Sequence, residues 1–594
     1  MDLFGILTMI GGLALFLYGM DTMGAGLAKL SGGRLEQILA KLTSKRITAV
    51  LFGVLVTAVI QSSSATTVMV VGFVNSGIMQ LSQAVGIIMG ANVGTTVTAW
   101  LLSLTGMEGS GILVQMLKPS SFSPILAAVG IIMIMTAKDN SKKKDIGNIL
   151  VGFAILMFGM QTMSDAVRPL ADNEQFTRLF TSFSHPLAGI LAGTILTAVI
   201  QSSSASVGIL QALCATGAVP YSAAIPIIMG QNIGTCATTL ISSVGASKNA
   251  RRASMIHLYF NLIGTIVFIT AFYGLDYLAG GFSFTQQAAG AAGIALIHSA
   301  FNVGAVILFY PFGDMLVKLA EKTVPDKPDD PSAEPDEFAI LDERFLENPA
   351  FAMKLCRNAA VKMAAEAGNA IYAALEILTV YDKKKAGQIA QMEEHVDHYE
   401  DVLGTYLVKL NNCDLTQQDS RLLSVLLHCM SDFERISDHA LNLMESAKRM
   451  HSKELEFSKR AMEEMLVFIE AVHDIVDATI RAFSSEDLEA AKHIEPFEQV
   501  IDSLNIEVRQ RHIKRLRKGK CTIELGILLE DIITDFERVA DHCSNIAVCM
   551  LRVSEDGFDT HEYLDVLKEE QADWFKKEYT ALAERYALPE KKKK

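Results

Sequence analysis

Residues 53–101 and 193–241 are one segment written twice. Shifted by 140 positions and without a gap, the two agree at 21 of 49 residues, including TAVIQSSSA against itself and IIMGANVGTT against IIMGQNIGTC. The same shift pairs FLYGMDTM (16–23) with LMFGMQTM (156–163). A duplication of this length means that what residues 1–137 build, residues 141–280 build again. Each copy also places four consecutive hydrogen-bonding side chains inside an apolar run: Gln61, Ser62, Ser63 and Ser64, then Gln201, Ser202, Ser203 and Ser204.

Apolar stretches at about 3–20, 47–79, 83–105, 121–137, 146–163, 187–219, 223–244, 253–279 and 288–313 fill the first 320 residues. Several reach the roughly 20 helical residues that a hydrocarbon core of about 30 Å requires. The first of them lacks a basic flank and a small-residue cleavage site, so a retained helix is expected rather than a signal peptide. Lys and Arg gather in cytoplasmic loops, which places KDNSKKKD (138–145), SKNARR (247–252), Lys41, Lys45 and Arg46 on that side. Segments 47–79 and 187–219 then have to return to the side they entered, as re-entrant hairpins with QSSSA at the tip. Three crossings separate the starts of the two copies, and an odd number inverts the second. Inverted repeats with interrupted hydrophobic segments are the build of secondary transporters, whose substrate sits near the midplane. A second pair of interruptions is expected at GANVGTT (90–96) and GQNIGTC (230–236), and an extra helix at about 288–316.

No Asp, Glu, Lys or Arg lies between 47 and 107 or between 186 and 247. An ion held there is therefore held by neutral groups. A helix that starts at a hairpin tip directs free N–H groups and the positive end of its dipole at that tip, which suits an oxyanion. The hydroxyls of Ser62, Ser63, Ser64, Ser202, Ser203 and Ser204 add donors, so two facing tips could enclose one tetrahedral anion. The side-chain oxygens of Gln61, Ser64, Asn92, Thr95, Thr96, Gln201, Ser204, Asn232 and Thr235, with unwound carbonyls, could hold a hard monovalent cation. Loading both ions together reduces the charge that crosses, which offsets part of the cost of a bare ion in low dielectric. The competing view is packing: Gly86, Gly90 and Gly94 form a small-xxx-small ridge, and membrane Ser and Thr commonly bond the carbonyl four residues back.

At these residues the sequence resembles the type II sodium-dependent phosphate cotransporter family, whose signature is QSSS in each hairpin followed by a G-x-N-[IV]-G-T segment. The resemblance spans about residues 1–315. It implies sodium-coupled transport of inorganic phosphate, with residues 61–64 and 201–204 lining the substrate site and the Asn and Thr residues contributing to sodium sites. It also implies a multi-pass protein of the inner (cytoplasmic) membrane and a homodimer. Cys236 stands where the first copy has Thr96, so a symmetric cation site lacks one hydroxyl. Because the family includes bacterial members thought to export phosphate, direction does not follow.

Residues 1–320 carry a net +5 and residues 321–594 a net −19. An acidic, Pro-rich linker is expected at 321–345, a helical cytoplasmic domain at 346–585 and a Lys-rich tail at 586–594. Within the charged half DFERISDHALNL (432–443) returns as DFERVADHCSNI (535–546), which implies two three-helix bundles. Acidic pairs four apart, Glu393 with Asp397, Glu434 with Asp438, Glu498 with Asp502 and Glu537 with Asp541, each share one helix face. Facing carboxylates repel unless a cation or proton lies between them, and oxygen-rich sites suit Mg, Mn or Fe. The pattern is similar to that of PhoU regulators, all-helical, duplicated proteins that bind metal through ExxxD; His439 and His542 follow each motif, either to hold a metal ligand in place or, as is commoner for such histidines, exposed or simply hydrogen-bonded. The eight cysteines show no metal-type spacing and fit buried thiols. No Walker A, GxSxG or HExxH sequence supports an enzyme, and no nucleic-acid partner is expected. The fold class that follows is all-α: an inverted-repeat membrane domain joined to a soluble duplicated helical bundle.

Overall fold

The computed structural model describes residues 3–31, 45–76, 78–106, 119–137, 141–170, 175, 178, 182–325, 337–552 and 572–589. Lys41, residues 138–140, the linker stretch 326–336 and the Lys-rich residues 590–594 lie outside the described residues. The chain is all-helical and splits into two compact units, Met1–Phe351 and Ala352–Lys594.

In the first unit the helices are α1 (Leu3–Ser31), α2 (Arg46–Ile60), α3 (Ser63–Asn75), α4 (Leu81–Ser103), α5 (Pro119–Thr136) and α6 (Lys142–Val167). They continue with α7 (Pro186–Ile200), α8 (Ser203–Cys214), α9 (Tyr221–Ser242), α10 (Lys248–Leu278), α11 (Ala291–Phe309) and α12 (Gly313–Thr323). Adding 140 to the bounds of α2 gives those of α7, and the starts of α3 and α4 give those of α8 and α9. The hairpins α2–α3 and α7–α8 are thus the same object twice. Among the described residues six helices are long and apolar enough to cross a membrane, whereas the hairpin arms are shorter. Large apolar side chains such as Phe4, Leu51, Ile132, Leu191 and Val199 stay exposed on the outer helices, as a lipid-facing surface requires. This is a multi-pass membrane protein.

Backbone-to-backbone contact holds the repeats together. α1 packs along α6, and a Cβ on Gly19 would stand 2.3 Å from Leu156 N while one on Gly159 would stand 2.4 Å from Phe16 N. Gly159 is Gly19 plus 140, so the same contact is made in both directions. Around it Phe16, Met23, Leu156, Met157 and Met160 form a buried cluster that includes Ala205 from α8.

The second unit contains α13 (Pro349–Ile377), which begins at the boundary, α14 (Lys383–Asn411), α15 (Gln417–Ser452), α16 (Lys459–Ser485), α17 (Leu488–Ala491), α18 (Ile494–Arg517), α19 (Ile523–Arg552) and α20 (Ala572–Arg585). The breaks fall where the sequence has turn residues, and α15 and α19, which carry the repeated DFER blocks, pack on each other. The linker's described flanks are folded: α12 runs to Thr323, and Glu337–Ile340 and Glu343–Glu347 form 3-10 turns.

Candidate functional site

Each hairpin reverses through one left-handed residue. Gln61 has φ 60° and Gln201 φ 58°, a conformation that costs a non-glycine residue about 1–2 kcal/mol. The Gln61 N–H closes α2 on Thr57 O at 2.8 Å and the Gln201 N–H closes α7 on Thr197 O at 2.7 Å. Ser62 and Ser202 then act as N-caps: their hydroxyls accept from Ala65 N–H at 3.1 Å and Ala205 N–H at 3.2 Å. The first bonds of the new helices are Thr66 N–H to Ser62 O and Ser206 N–H to Ser202 O. The N–H groups of Ser63, Ser64, Ser203 and Ser204 precede those bonds, at the positive end of each helix. Behind the tips, Thr57 Oγ1 donates to Thr66 Oγ1 at 3.1 Å and Thr197 Oγ1 to Ser206 Oγ at 2.8 Å, tying the two arms of each hairpin.

The two tips meet. Ser63 Oγ and Ser203 Oγ, both buried, lie 3.3 Å apart. Ser64 Oγ stands 3.5 Å from Gln201 O across the same junction. The tips are not in the same state. Gln61 is buried, its Oε1 accepting from Thr98 Oγ1 at 2.9 Å; Gln201 is exposed, and Thr238 Oγ1, the equivalent of Thr98, is buried with no hydrogen-bond partner among the described residues.

The expected interruptions at 90–96 and 230–236 do not occur: α4 and α9 are unbroken α-helix through both. A Cβ on Gly90 would stand 2.1 Å from Val50 O, and one on Gly230 would stand 2.0 Å from Ile190 O. The glycines let the hairpin arms α2 and α7 lie against α4 and α9, and the packing view of this ridge is the correct one. Unwound carbonyls are therefore not offered by these segments. Asn92 and Asn232 donate to Ile88 O and Ile228 O, both at 2.9 Å. Thr95, Thr96 and Thr235 likewise bond their own helix, at Ala91 O, Val93 O and Gln231 O, and all five side chains are buried. Cys236 replaces the hydroxyl of Thr96 with a thiol 3.5 Å from His257 O.

In the second unit Glu498, Asp502 and Asp541 bring carboxylate oxygens within 4.8 Å of one another. The fourth predicted member, Glu537, accepts from Asn505 Nδ2 at 2.6 Å. Burial, then the Glu537 and Asp541 carboxylates, push Asp502 above the ordinary carboxylate range. Asp541 is raised by burial and then by Glu537. In the first bundle Glu434 is pushed up to about 7 by burial and by Asp438, and Glu393 is raised by burial, Asp438 and Asp397. Glu400, which the ExxxD pattern does not include, belongs to this cluster: burial and Asp397 raise it. Such mutually raised acids fit a site for a hard divalent cation. The histidines after each motif are hydrogen-bonded to aspartates. His439 Nδ1 pairs with Asp535 at 2.8 Å and His542 Nδ1 with Asp432 at 2.9 Å, each linking one repeat to the other.

The first unit thus brings two equivalent hairpins together at neutral donors, and the second carries acidic clusters on its helices. Residues 15–165 and 155–296 match the Na+/Pi-cotransporter family, and residues 360–447 and 467–550 match the PhoU domain. The membrane half of the chain belongs to the Na+/Pi-cotransporter family, and the second half carries a duplicated PhoU domain. YjbB of Escherichia coli, named as a candidate inorganic phosphate export protein, is 23% identical over 94% of this chain and 99% of its own length. Sodium-dependent phosphate transport protein 2A of Rattus norvegicus is 36% identical over 16% of this chain and 15% of its own. The crystal structure of PhoU from Pseudomonas aeruginosa aligns with a TM-score of 0.33 at 18% identity, covering 34% of this chain and 97% of that one.

Proposed function

We propose that the chain moves inorganic phosphate across the cytoplasmic membrane together with sodium, and that the PhoU half, on the cytoplasmic side, regulates the flux. The observation that carries this reading is the 3.3 Å approach of Ser63 Oγ to Ser203 Oγ at the junction of two helix N-termini. Phosphate would enter between the tips, where Ser62, Ser63, Ser64, Ser202, Ser203 and Ser204 supply hydroxyls and four N–H groups supply the dipole ends. No fixed cation from the hairpins is needed, because sodium on oxygens of Gln61, Ser64, Asn92, Thr95, Thr96, Gln201, Ser204, Asn232 and Thr235 neutralises part of the anion. The Asn and Thr side chains donate hydrogen to their own helices, which leaves their oxygen lone pairs for the cation and fixes the direction in which those oxygens point.

A divalent metal (Mg, Mn or Fe) is assigned to the acidic clusters, one at Glu393, Asp397, Glu434 and Asp438 and one at Glu498, Asp502, Glu537 and Asp541. The raised carboxyls support it. Two copies of the chain associate in the membrane as a homodimer.

The test is phosphate flux in proteoliposomes under an imposed sodium gradient. Uptake driven by inward sodium, reduced at least tenfold by Ser63→Ala or Ser203→Ala, is expected. Flux indifferent to sodium would favour export on another ion balance, the reading that the E. coli relative's name favours. Binding without flux would mark a sensor.

A further inference from the structure

We propose that residues 337–351 form a strap that positions the α2–α3 hairpin and closes one approach to its tip. It rests on the regulatory reading above, since the strap is where the chain leaves the membrane unit and enters α13. Phe345, 1% exposed, lies 5.3 Å ring to ring from Phe73 of α3 and 5.2 Å from Phe351, whose own ring meets Phe73 at 5.1 Å. Phe351 is the third residue of α13 and the last of the first unit.

A polar clasp accompanies the rings. Asn75, at the end of α3, uses both ends of its amide: Nδ2 donates to Asp342 Oδ2 at 2.7 Å and Oδ1 accepts from Ser247 N–H at 2.8 Å. Arg344 donates through Nε to Asp342 Oδ1 at 2.6 Å and through Nη1 to Ser242 O at 3.2 Å, on the last residue of α9. A guanidinium there also meets the negative end of the α9 dipole. The strap thereby fastens the hairpin of copy one to the carboxyl end of a helix in copy two. Between them is a cavity of about 30 Å³, lined by Ile60, Ala65 and Met69 of the hairpin and Arg344, Glu347 and Asn348 of the strap. Ile60 and Ala65 flank the Gln-Ser-Ser-Ser run, so the strap covers the tip from that side.

The two copies differ at every position when 66–76 is set against 206–216, the three this contact uses included, where Phe73 is answered by Leu213. Where copy one has Gly72 and Asn75, copy two has Ala212 and Ala215. A Cβ on Gly72 would stand 2.8 Å from Phe345 Cε1, so a methyl like that of Ala212 would lift the ring off the helix. Only the first hairpin is shaped for a strap.

The experiment reads thiol labelling of the purified full chain at Ala65→Cys, counted against the same chain without the added cysteine. Leu187→Cys, 72% exposed on the first arm of the second hairpin, is the reference. Arg344→Ala, Phe345→Ala and, from the other side of the contact, Gly72→Leu should each raise the labelling rate at position 65 about tenfold and leave the rate at position 187 unchanged. Should one variant not fold, the other two decide. An unchanged rate at position 65 in a folded variant, or an equal rise at both positions, overturns the strap. Neither sodium nor phosphate enters this readout, so it stands or falls separately from the transport assay; in that assay, strap variants with faster labelling should change turnover more than the KM for phosphate.

Discussion

Gln61 and Gln201 join a backbone demand to a side-chain one, and glycine separates the two. Gln61→Gly relieves the left-handed strain, about 1 kcal/mol, and removes the bond from Thr98, a similar amount in the other direction. The melting temperature of the purified chain should therefore move by only a few degrees, while phosphate flux falls at least tenfold if the amide lines the site. Flux that survives would confine Gln61 to a turn-forming role. Gln201→Gly loses no such bond, because Gln201 is exposed and Thr238 is not bonded to it, so its melting temperature should rise rather than hold. The serine runs are legible in the sequence because duplication makes them stand out. The left-handed glutamines are not: glutamine has no preference for that region, and only the demand for a reversal in two residues forces it. Nor is the Thr98 bond, since Thr98 lies 37 positions from Gln61 and its partner in the second copy does not make it.

At the level of helices, the glycines of α4 and α9 shape a contact rather than break a helix. An isolated helix loses about 1 kcal/mol at an interior glycine relative to alanine, which is why GANVGTT and GQNIGTC suggest breaks when read alone. The structure returns more than that through the close approach of α2 to α4 and α7 to α9. Gly90→Ala and Gly230→Ala place a methyl about 2 Å from a carbonyl oxygen of the neighbouring helix, and backbone has to move. Despite alanine's better helix propensity, each substitution should cost on the order of 1–3 kcal/mol, read as a lowered melting temperature in detergent. A rise in either would mean that the arms tolerate separation and that the ridge does not hold the hairpins. The hairpins themselves and the helical, duplicated second half are legible, because apolar length, basic loops and turn residues are local signals. The cross-repeat pairs of His439 with Asp535 and His542 with Asp432 are not, since they need the two DFER helices to face each other, which period alone does not fix.

Taken whole, the molecule joins a membrane half whose hairpins carry no charged side chain beyond Arg46 to a helical half whose crowded acids are raised above the ordinary carboxylate range. Glu434 is raised to about 7, against an ordinary glutamate near 4.5, by burial and by Asp438. A carboxyl whose folded pKa lies above its unfolded one binds more protons in the folded state, so its contribution to stability falls as pH rises from about 4.5 through about 7. Asp502, Asp541 and Glu393 shift in the same direction. In the presence of a chelator the intact protein's PhoU transition should thus melt highest in mild acid and lose stability toward pH 8. A divalent ion reverses the slope, because it takes the place of the protons and binds only as they leave. With Mn(II) the gain in melting temperature should be small at pH 5 and larger at pH 7.5, and Asp502→Asn should remove the part owed to the Glu498, Asp502 and Asp541 cluster. A gain equal at both pH values would place Mn(II) somewhere other than these acids. No gain at either would leave their mutual repulsion relieved by protons alone, making the second half a pH-responsive module rather than a metal-responsive one.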